Sequence, residues 1–501
     1  MYDLIIKNAT LIDGTGGEPL VADMAISAGK ICKIGSVEVE AQQVIDATGR
    51  VVTPGFVDSH SHSDLSLASN QDHEDALRQG ITFAITGMCG GAIAPSAVTG
   101  YSRFAQFAAE MQDRPTSMYA AVLAGHGSLR NLVAGRENRL LTDEELTRMC
   151  RLLEESMDEG CIGLSLGLTY PPGSYADFRE LAALAKVVGD RGGILSSHIR
   201  NESDDLIPSV EEFISLCEVG KCRGVISHLK AADKKNHGKV KTVLAMLEEA
   251  AARGVEVYAD AYPYCASATT LSSRFVPRQF HPPGTTNVVS LLSDPDIRRQ
   301  IKAWATEKWG TDLSWVLVTS CPSLPQYIGL NMNEIAEKMG IADRYEAVFT
   351  LLQESKGYCS GCFTMMCEED VVTALAHPLV MVGCDSNMGK KLSQHHPRRV
   401  AAFPRVLGYY VREQQITTLP EMIRKITSLP AKVYGLENKG LLKEGYDADL
   451  CIFDPETIRD TADYVNCKSR NIGMDYVIVN GKIVVEQGEY NGTRAACLYT
   501  R

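Results

Sequence analysis

Val51-Val52-Thr53-Pro54-Gly55-Phe56-Val57-Asp58-Ser59-His60-Ser61-His62 is the stretch whose reading decides the fold. An apolar run stops abruptly at polar residues, as a buried strand does where it reaches the edge of a core. On an extended chain residues i and i+2 point the same way, so both imidazoles project to one side of a strand end. Two solvated histidines would give the same His-x-His string. The Pro-Gly-Phe-Val-Asp ahead of them sets this pair apart.

Upstream, residues 1–54 read as short strands split by turns. Met24-Ala25-Ile26 and Lys30–Ile34 flank Ala28-Gly29, a hairpin pattern, and Asp13–Gly17 is a turn cluster. Downstream to about residue 437, short apolar strands recur at Ile81–Thr86, Ala120–Ala124, Gly163–Leu166, Gly193–Ser197, Gly224–Ser227, Val255–Asp260 and Val380–Cys384. Amphipathic stretches such as Asp143–Glu159, Phe178–Arg191 and Val240–Arg253 separate several of them. Buried strands alternating with helices imply parallel βαβ units, and about eight such units imply a barrel, although a doubly wound open sheet gives a similar string. After Glu437 strand-turn patterns return at Asp447–Phe453 and Val477–Val485. The expected architecture is α/β: a (β/α)8 TIM-type barrel over 55–437, with a small β-sandwich domain built from 1–54 plus 438–501. Residues of about 270–345 read as an irregular insertion beside the barrel mouth.

Composition narrows the function classes. The 501 residues carry a net charge of −12, so nucleic acid and anionic membrane are not expected partners. The start lacks a basic, apolar leader and no run approaches the ~18 apolar residues of a membrane span, which predicts a cytoplasmic location. Fifteen cysteines in such a chain read as reduced thiols. The oligomeric state is left open.

Three more candidates for metal chemistry sit where strands end: His198 after Gly193–Ser197, His228 after Gly224–Ser227, and Asp385 after Leu379–Cys384. Each alone is more often a satisfied core or turn group. Four histidines and an aspartate at the same end of successive strands favour a metal, and imidazole with carboxylate suits zinc. Cys89 joins them in Gly87-Met88-Cys89-Gly90-Gly91, where glycines allow close backbone approach and a thiolate would bind zinc strongly. By residue type alone a buried structural cysteine is commoner. Lys230, two residues past His228, and Arg398, a loop beyond Asp385, could hold a substrate carboxylate; a solvated lysine and a surface arginine are the bland alternatives. Cys359-x-x-Cys362 looks like half a zinc knuckle, but no second pair follows at a suitable spacing, so structural thiols are expected.

Pro54–His62 resembles the entry motif of the amidohydrolase superfamily, and a cysteine in a Gly-x-Cys-Gly turn resembles its D-aminoacylase (N-acyl-D-amino-acid deacylase) branch. The likeness continues through Gly125-His126-Gly127, Gly163–Leu168 with Tyr170–Gly173, Ser197–Arg200, Ser227–Lys230, Asp260–Tyr264, His396-Pro397-Arg398 and Phe403–Gly408. This resemblance implies that Cys89, His198 and His228 hold one tightly bound zinc, and that His60, His62 and Asp385 form a second, weaker position. It implies that Lys230, Arg398 and Tyr262 bind the α-carboxylate of a small N-acyl amino acid substrate, with His126 and Arg200 supporting the pocket. The implied reaction is zinc-dependent hydrolysis of N-acyl-D-amino acids by metal-activated water, with Asp385 as general base and acid.

The chain departs from the family at Cys384-Asp385-Ser386-Asn387, at Ala401-Ala402 and at Met88, which leaves the reaction class intact and opens the acyl and side-chain preference. One competing expectation is a hydantoinase- or dihydropyrimidinase-like hydrolase of cyclic amides or ureido compounds. Those relatives commonly use a carboxylated lysine as bridging ligand, where Cys89 is the candidate here. A non-catalytic amidohydrolase-like binding scaffold is a further alternative, disfavoured because the six ligand candidates are all present.

Overall fold

A computed structural model describes residues 1–280, 288–388, 396–467 and 469–501. Among them the parallel strands form two arcs. One joins Phe56–Asp58, Ile81–Thr86 and Tyr119–Val122. The other runs Ala124–Gly125, Gly163–Gly167, Ile194–His198, Arg223–Ile226, Val257–Ala261 and Val380–Val382. The arcs are continuous through Leu123 on one side. On the other, Ser59 N donates to Val382 O (3.3 Å), Asp385 N to His60 O (2.8 Å) and His62 N to Ser386 O (3.0 Å). Most of these strands are buried along their whole length, which is why they read as unbroken apolar runs instead of alternating ones.

Helices occupy the connections. Asp143–Asp158 starts at a capping box between Thr142 and Glu145, and Phe178–Asp190 at Asp177, whose side chain accepts from Glu180 N. Leu206–Gly220 and Lys239–Ala252 bury Val210, Phe213, Leu216, Val243 and Leu247 in the same apolar core. The helices put their bulk outside the strands and leave the strand ends to the loops.

Both chain ends enter one nine-stranded mixed sheet, because Leu450–Phe453 pairs antiparallel with Val51–Pro54. The expected hairpin is present: Leu20–Ser27 pairs with Lys30–Gly35, and Ala28 and Gly29 turn with φ of 50° and 75°. One strand was not anticipated. Leu498–Tyr499 lies parallel to Tyr119–Val122, pairing with Ala120 and Ala121.

The expected insertion is less irregular than the sequence suggests. Ala266–Thr270, Val316–Ser320 and Ser360–Thr364 make a three-stranded antiparallel sheet, so the extra segment runs on past residue 345. Helices Pro295–Trp309, Met332–Met339 and Arg344–Glu354 start at Asp294, Asn331 and Asp343, each accepting backbone N–H bonds. Phe275, Tyr345, Phe349 and Phe363 fill a core separate from that of the parallel strands. Residues 281–287 of the expected insertion lie outside the described residues.

Candidate metal centre

All six ligand candidates converge beyond the C-terminal ends of the parallel strands. The ligand atoms form three triplets, each with its atoms within 4.8 Å of one another: His60, Cys89 and His228; His60, His62 and Asp385; and His198, Glu202 and His228. His60 and His228 each belong to two triplets, so the cluster is continuous.

Three of these side chains stand on backbone that a non-glycine residue rarely adopts. Cys89, His228 and Asp385 have φ of 56°, 37° and 44°, a conformation that costs on the order of 1–3 kcal/mol each and persists only where the surroundings impose it. The surroundings are visible for Cys89. A Cβ on Gly87 would sit 2.2 Å from Leu123 O, and one on Gly167 would sit 2.1 Å from Cys89 O. Glycine at both places lets the turn press against its neighbours, Gly87 from within the Gly-x-Cys-Gly turn and Gly167 from the strand Gly163–Gly167 beside it.

The imidazoles are oriented by carboxylates. His60 Nδ1 lies 3.2 Å from Asp260 and its Nε2 faces Cys89 Sγ at 3.5 Å. His228 Nδ1 lies 2.8 Å from Glu202 and its Nε2 also faces Cys89 Sγ at 3.5 Å. A histidine tied at Nδ1 to a carboxylate presents Nε2 to a metal, the usual outer-shell arrangement of such sites. Asp260 also accepts from His228 N (2.7 Å), so one carboxylate steadies two candidate ligands. His198 keeps a buried Nδ1 without a hydrogen-bond partner among the described residues. A soft thiolate, imidazoles and a carboxylate held this close suit zinc.

The charges agree with that donor set. Burial alone would raise the Cys89 thiol, but His60 and His228 beside it outweigh burial and hold it well below its ordinary value. Asp385 is likewise pushed up by burial and pulled further down by Arg398, His62, His228 and His60, so its carboxyl stays ionised. Burial disfavours charge on His62, yet Asp385 and Cys89 raise it to about 9.

The candidates for substrate binding are buried rather than solvated. Lys230 Nζ donates to Glu202 at 2.5 Å and lies 2.7 Å from His228 Nδ1. Arg398 Nη1 pairs with Asp385 at 2.9 Å, and its buried Nε has no hydrogen-bond partner among the described residues. Both cations face the Tyr262 ring, at 4.6 Å for Arg398 and 5.7 Å for Lys230. His126 and Arg200 sit apart from the triplets. His126 pairs with Glu180, which also holds Arg130, and Arg200 pairs with Glu212.

Glu202 and Asp260 were not among the sequence candidates. Glu202 stands four residues after His198, a spacing that is a usable signal, while Asp260 is the penultimate residue of strand Val257–Ala261, next to the Tyr-Pro-Tyr motif. Cys359 and Cys362 belong to none of the triplets, and burial pushes the Cys362 thiol up to about 12.

A family model described as amidohydrolase family matches residues 43–485. A D-aminoacylase of Alcaligenes xylosoxydans xylosoxydans is 32% identical, over 100% of this chain and 98% of that protein. The crystal structure of N-acyl-D-glutamate deacylase from Bordetella bronchiseptica, complexed with zinc and a phosphonate mimic of the tetrahedral intermediate, is 30% identical with a TM-score of 0.86 and 100% coverage of both chains. A D-aminoacylase structure reported for its binuclear metal centre gives 30% identity, a TM-score of 0.85 and the same coverage.

Proposed function

The chain belongs to the amidohydrolase family, in its D-aminoacylase branch, and on that premise we propose that it deacylates N-acyl-D-amino acids at a zinc centre held by Cys89, His198, His228, His60, His62 and Asp385. It is a hydrolase of linear amides, releasing a D-amino acid and a carboxylate. The observation that carries the reading is Cys89 Sγ lying 3.5 Å from the Nε2 atoms of both His60 and His228. A thiolate at that place distinguishes the centre from one bridged by a carboxylated lysine, as in hydantoinase-type relatives. We read the two strand arcs as one closed (β/α)8 barrel over 55–437, and the shared sheet as a β-sandwich domain of 1–54 with 438–501. One zinc binds tightly, and the His60, His62 and Asp385 position is the weaker one.

When bound, zinc supplies Lewis acidity that polarises the scissile carbonyl and makes water acidic near neutral pH. Asp385, ionised in this setting, accepts the proton of the attacking water at its carboxylate and returns it to the leaving nitrogen. Arg398 and Lys230 neutralise the substrate α-carboxylate, with the Tyr262 ring between them. Arg398 Nε, without a hydrogen-bond partner among the described residues, is the atom for that contact while Nη1 holds Asp385.

A panel of N-acetyl and N-formyl D- and L-amino acids, assayed with zinc content measured, tests the reading. Turnover confined to D-substrates by zinc-loaded protein is expected. Zinc-loaded protein that turns over hydantoins and no acyl amino acid would overturn it.

A further inference from the structure

The metal cluster opens into a cavity of about 210 Å³ to which the reaction has so far given no occupant. Cys89 is part of its wall, and so is Tyr170, whose ring stands edge-on to His198 at 4.8 Å. Lys230, Arg398 and Tyr262 are not among its lining residues. One water occupies roughly 10–15 Å³ of such space, so the cavity holds well more than the few atoms of a formyl or acetyl group.

Its walls follow from the local fold. Helix His126–Ala134 puts Ser128 and Asn131, three residues apart and so on one face, along the cavity. The helix ends at Gly135, where φ of 64° turns the chain out towards Arg136, the next lining residue. Gly91 belongs to another wall. A Cβ there would meet nothing nearer than Met88 O at 4.0 Å, so the space beside it is open.

The cavity is charged in one sense. Among the described residues Arg136 is its single cation, and no carboxylate lines it. Arg136 is exposed and has neither ion pair nor hydrogen bond among the described residues. The acid beside it in sequence, Glu137, is committed elsewhere, to Arg139 at 2.7 Å. Two of the other polar groups are also engaged, since Ser96 Oγ accepts from Val98 N at 3.2 Å and Ser128 Oγ from Ala92 N at 3.1 Å. The Asn131 amide, without a side-chain hydrogen bond among the described residues, is left beside Arg136 to meet a ligand.

The scissile carbonyl carbon carries nitrogen on one side and the rest of the acyl group on the other. Lys230, Arg398 and Tyr262 take the amine half through its α-carboxylate, so a cavity that starts at Cys89 and avoids all three falls to the acyl half. We propose that this cavity is the acyl subsite and that Arg136, with Asn131, selects acyl groups ending in a carboxylate, the class of N-succinyl and N-glutaryl amino acids. The inference rests on the deacylase reading and names the acyl half of its substrate. A guanidinium meets a carboxylate through two N–H donors, and the Asn131 amide adds a third. The reaction at the amide is unaltered: water adds to the carbonyl carbon, the C–N bond breaks, a proton goes to the leaving nitrogen, and a free dicarboxylate departs beside the D-amino acid.

The test assays full-length, zinc-loaded protein on the D-amino acid that it turns over best as the N-acetyl derivative. N-succinyl and N-glutaryl forms are each compared with the same acyl chain ending in a carboxamide. The parent should favour the carboxylate roughly tenfold in kcat/KM at one of the two lengths, chiefly through KM. Arg136→Ala should bring that ratio close to equality, and Arg136→Glu should invert it. Gly91→Leu fills the open space and should lower turnover of the longer acyl groups roughly tenfold relative to N-formyl. A parent indifferent to the terminal carboxylate at both lengths would overturn the proposal whatever the variants do, and would leave deacylation standing. So would a preference that Arg136→Glu does not reduce. If Arg136→Ala instead lowers N-acetyl-D-glutamate against N-acetyl-D-glutamine, the cavity holds the amino-acid side chain and the acyl assignment is wrong. No turnover of any acyl amino acid would defeat the deacylase reading itself, and this proposal with it.

Discussion

The two ends of the parallel strands are built on opposite principles. At the C-terminal end, Cys89, His228 and Asp385 occupy left-handed backbone, and buried charges crowd together. At the N-terminal end, Phe56 stacks on Phe403 at 5.7 Å and Phe83 meets Tyr119 and Tyr499 at 5.9 and 5.4 Å. Backbone groups there are closed by the chain's own tail: Arg501 Nη1 donates to Gly192 O at 2.6 Å. One end carries strain and charge that only a ligand rationalises; the other offsets that cost by packing. Substitutions should therefore separate cleanly, with activity lost at one end and stability at the other.

The largest effect is expected for Cys89→Ala. Removing the thiolate takes a ligand from the centre of the cluster, so activity should fall by on the order of 10³-fold or more and bound zinc should drop with it. Metal analysis beside steady-state kinetics checks this; a variant keeping zinc and full activity would end the assignment. Asp385→Asn comes next, with kcat reduced by roughly 10²–10⁴-fold as a positioned base is lost. KM should change little, because Arg398 gains freedom to bind substrate once its partner is neutral. A rise in KM at constant kcat would instead make Asp385 a binding residue. Asp260→Asn is milder. It loosens His60 and the His228 backbone together, and zinc affinity measured by chelator competition should weaken by about 10–100-fold. Unchanged affinity would mean that the strand geometry alone orients His60.

Much of this contrast was legible in the sequence, for physical reasons that differ by element. Buried parallel strands show as apolar runs, and His60, His198, His228 and Asp385, which come together in the cluster, could be named as candidates from their positions at or just past the ends of those runs. Cys89 could be named through the resemblance to the D-aminoacylase branch; its flanking glycines announce a tight turn, but by residue type alone a structural thiol is the commoner reading. The partners of these candidate ligands were harder. Glu202 was within reach of spacing, four residues after His198, but Asp260 serves His60 and the His228 backbone across the sheet, and strand adjacency is a property of the sheet rather than of spacing along the chain. The insertion hid its order behind aromatic and proline content, although Asp294-Pro295 and Asn331-x-x-Glu334 are helix starts that could have been read. The tail strand Leu498–Tyr499 was illegible because two residues carry no periodicity, and their partners Ala120 and Ala121 lie 378 residues away along the chain.

That tail supplies the smallest expected effect and the sharpest check on the other half of the comparison. Tyr499 packs edge-on against Phe83, and its hydroxyl accepts from Glu437 N at 3.3 Å. Tyr499→Ala removes an aromatic pair and one hydrogen bond at a partly exposed site, which should cost about 1–2 kcal/mol and lower the melting temperature by ~2 °C. The side chain is anchored at the strand starts, away from every ligand, so kcat/KM and zinc content should stay within roughly twofold of the parent. A loss of zinc in this variant with no change in melting temperature would show that the two ends are mechanically coupled. The division between a strained, chemical end and a packed, stabilising end would then fail.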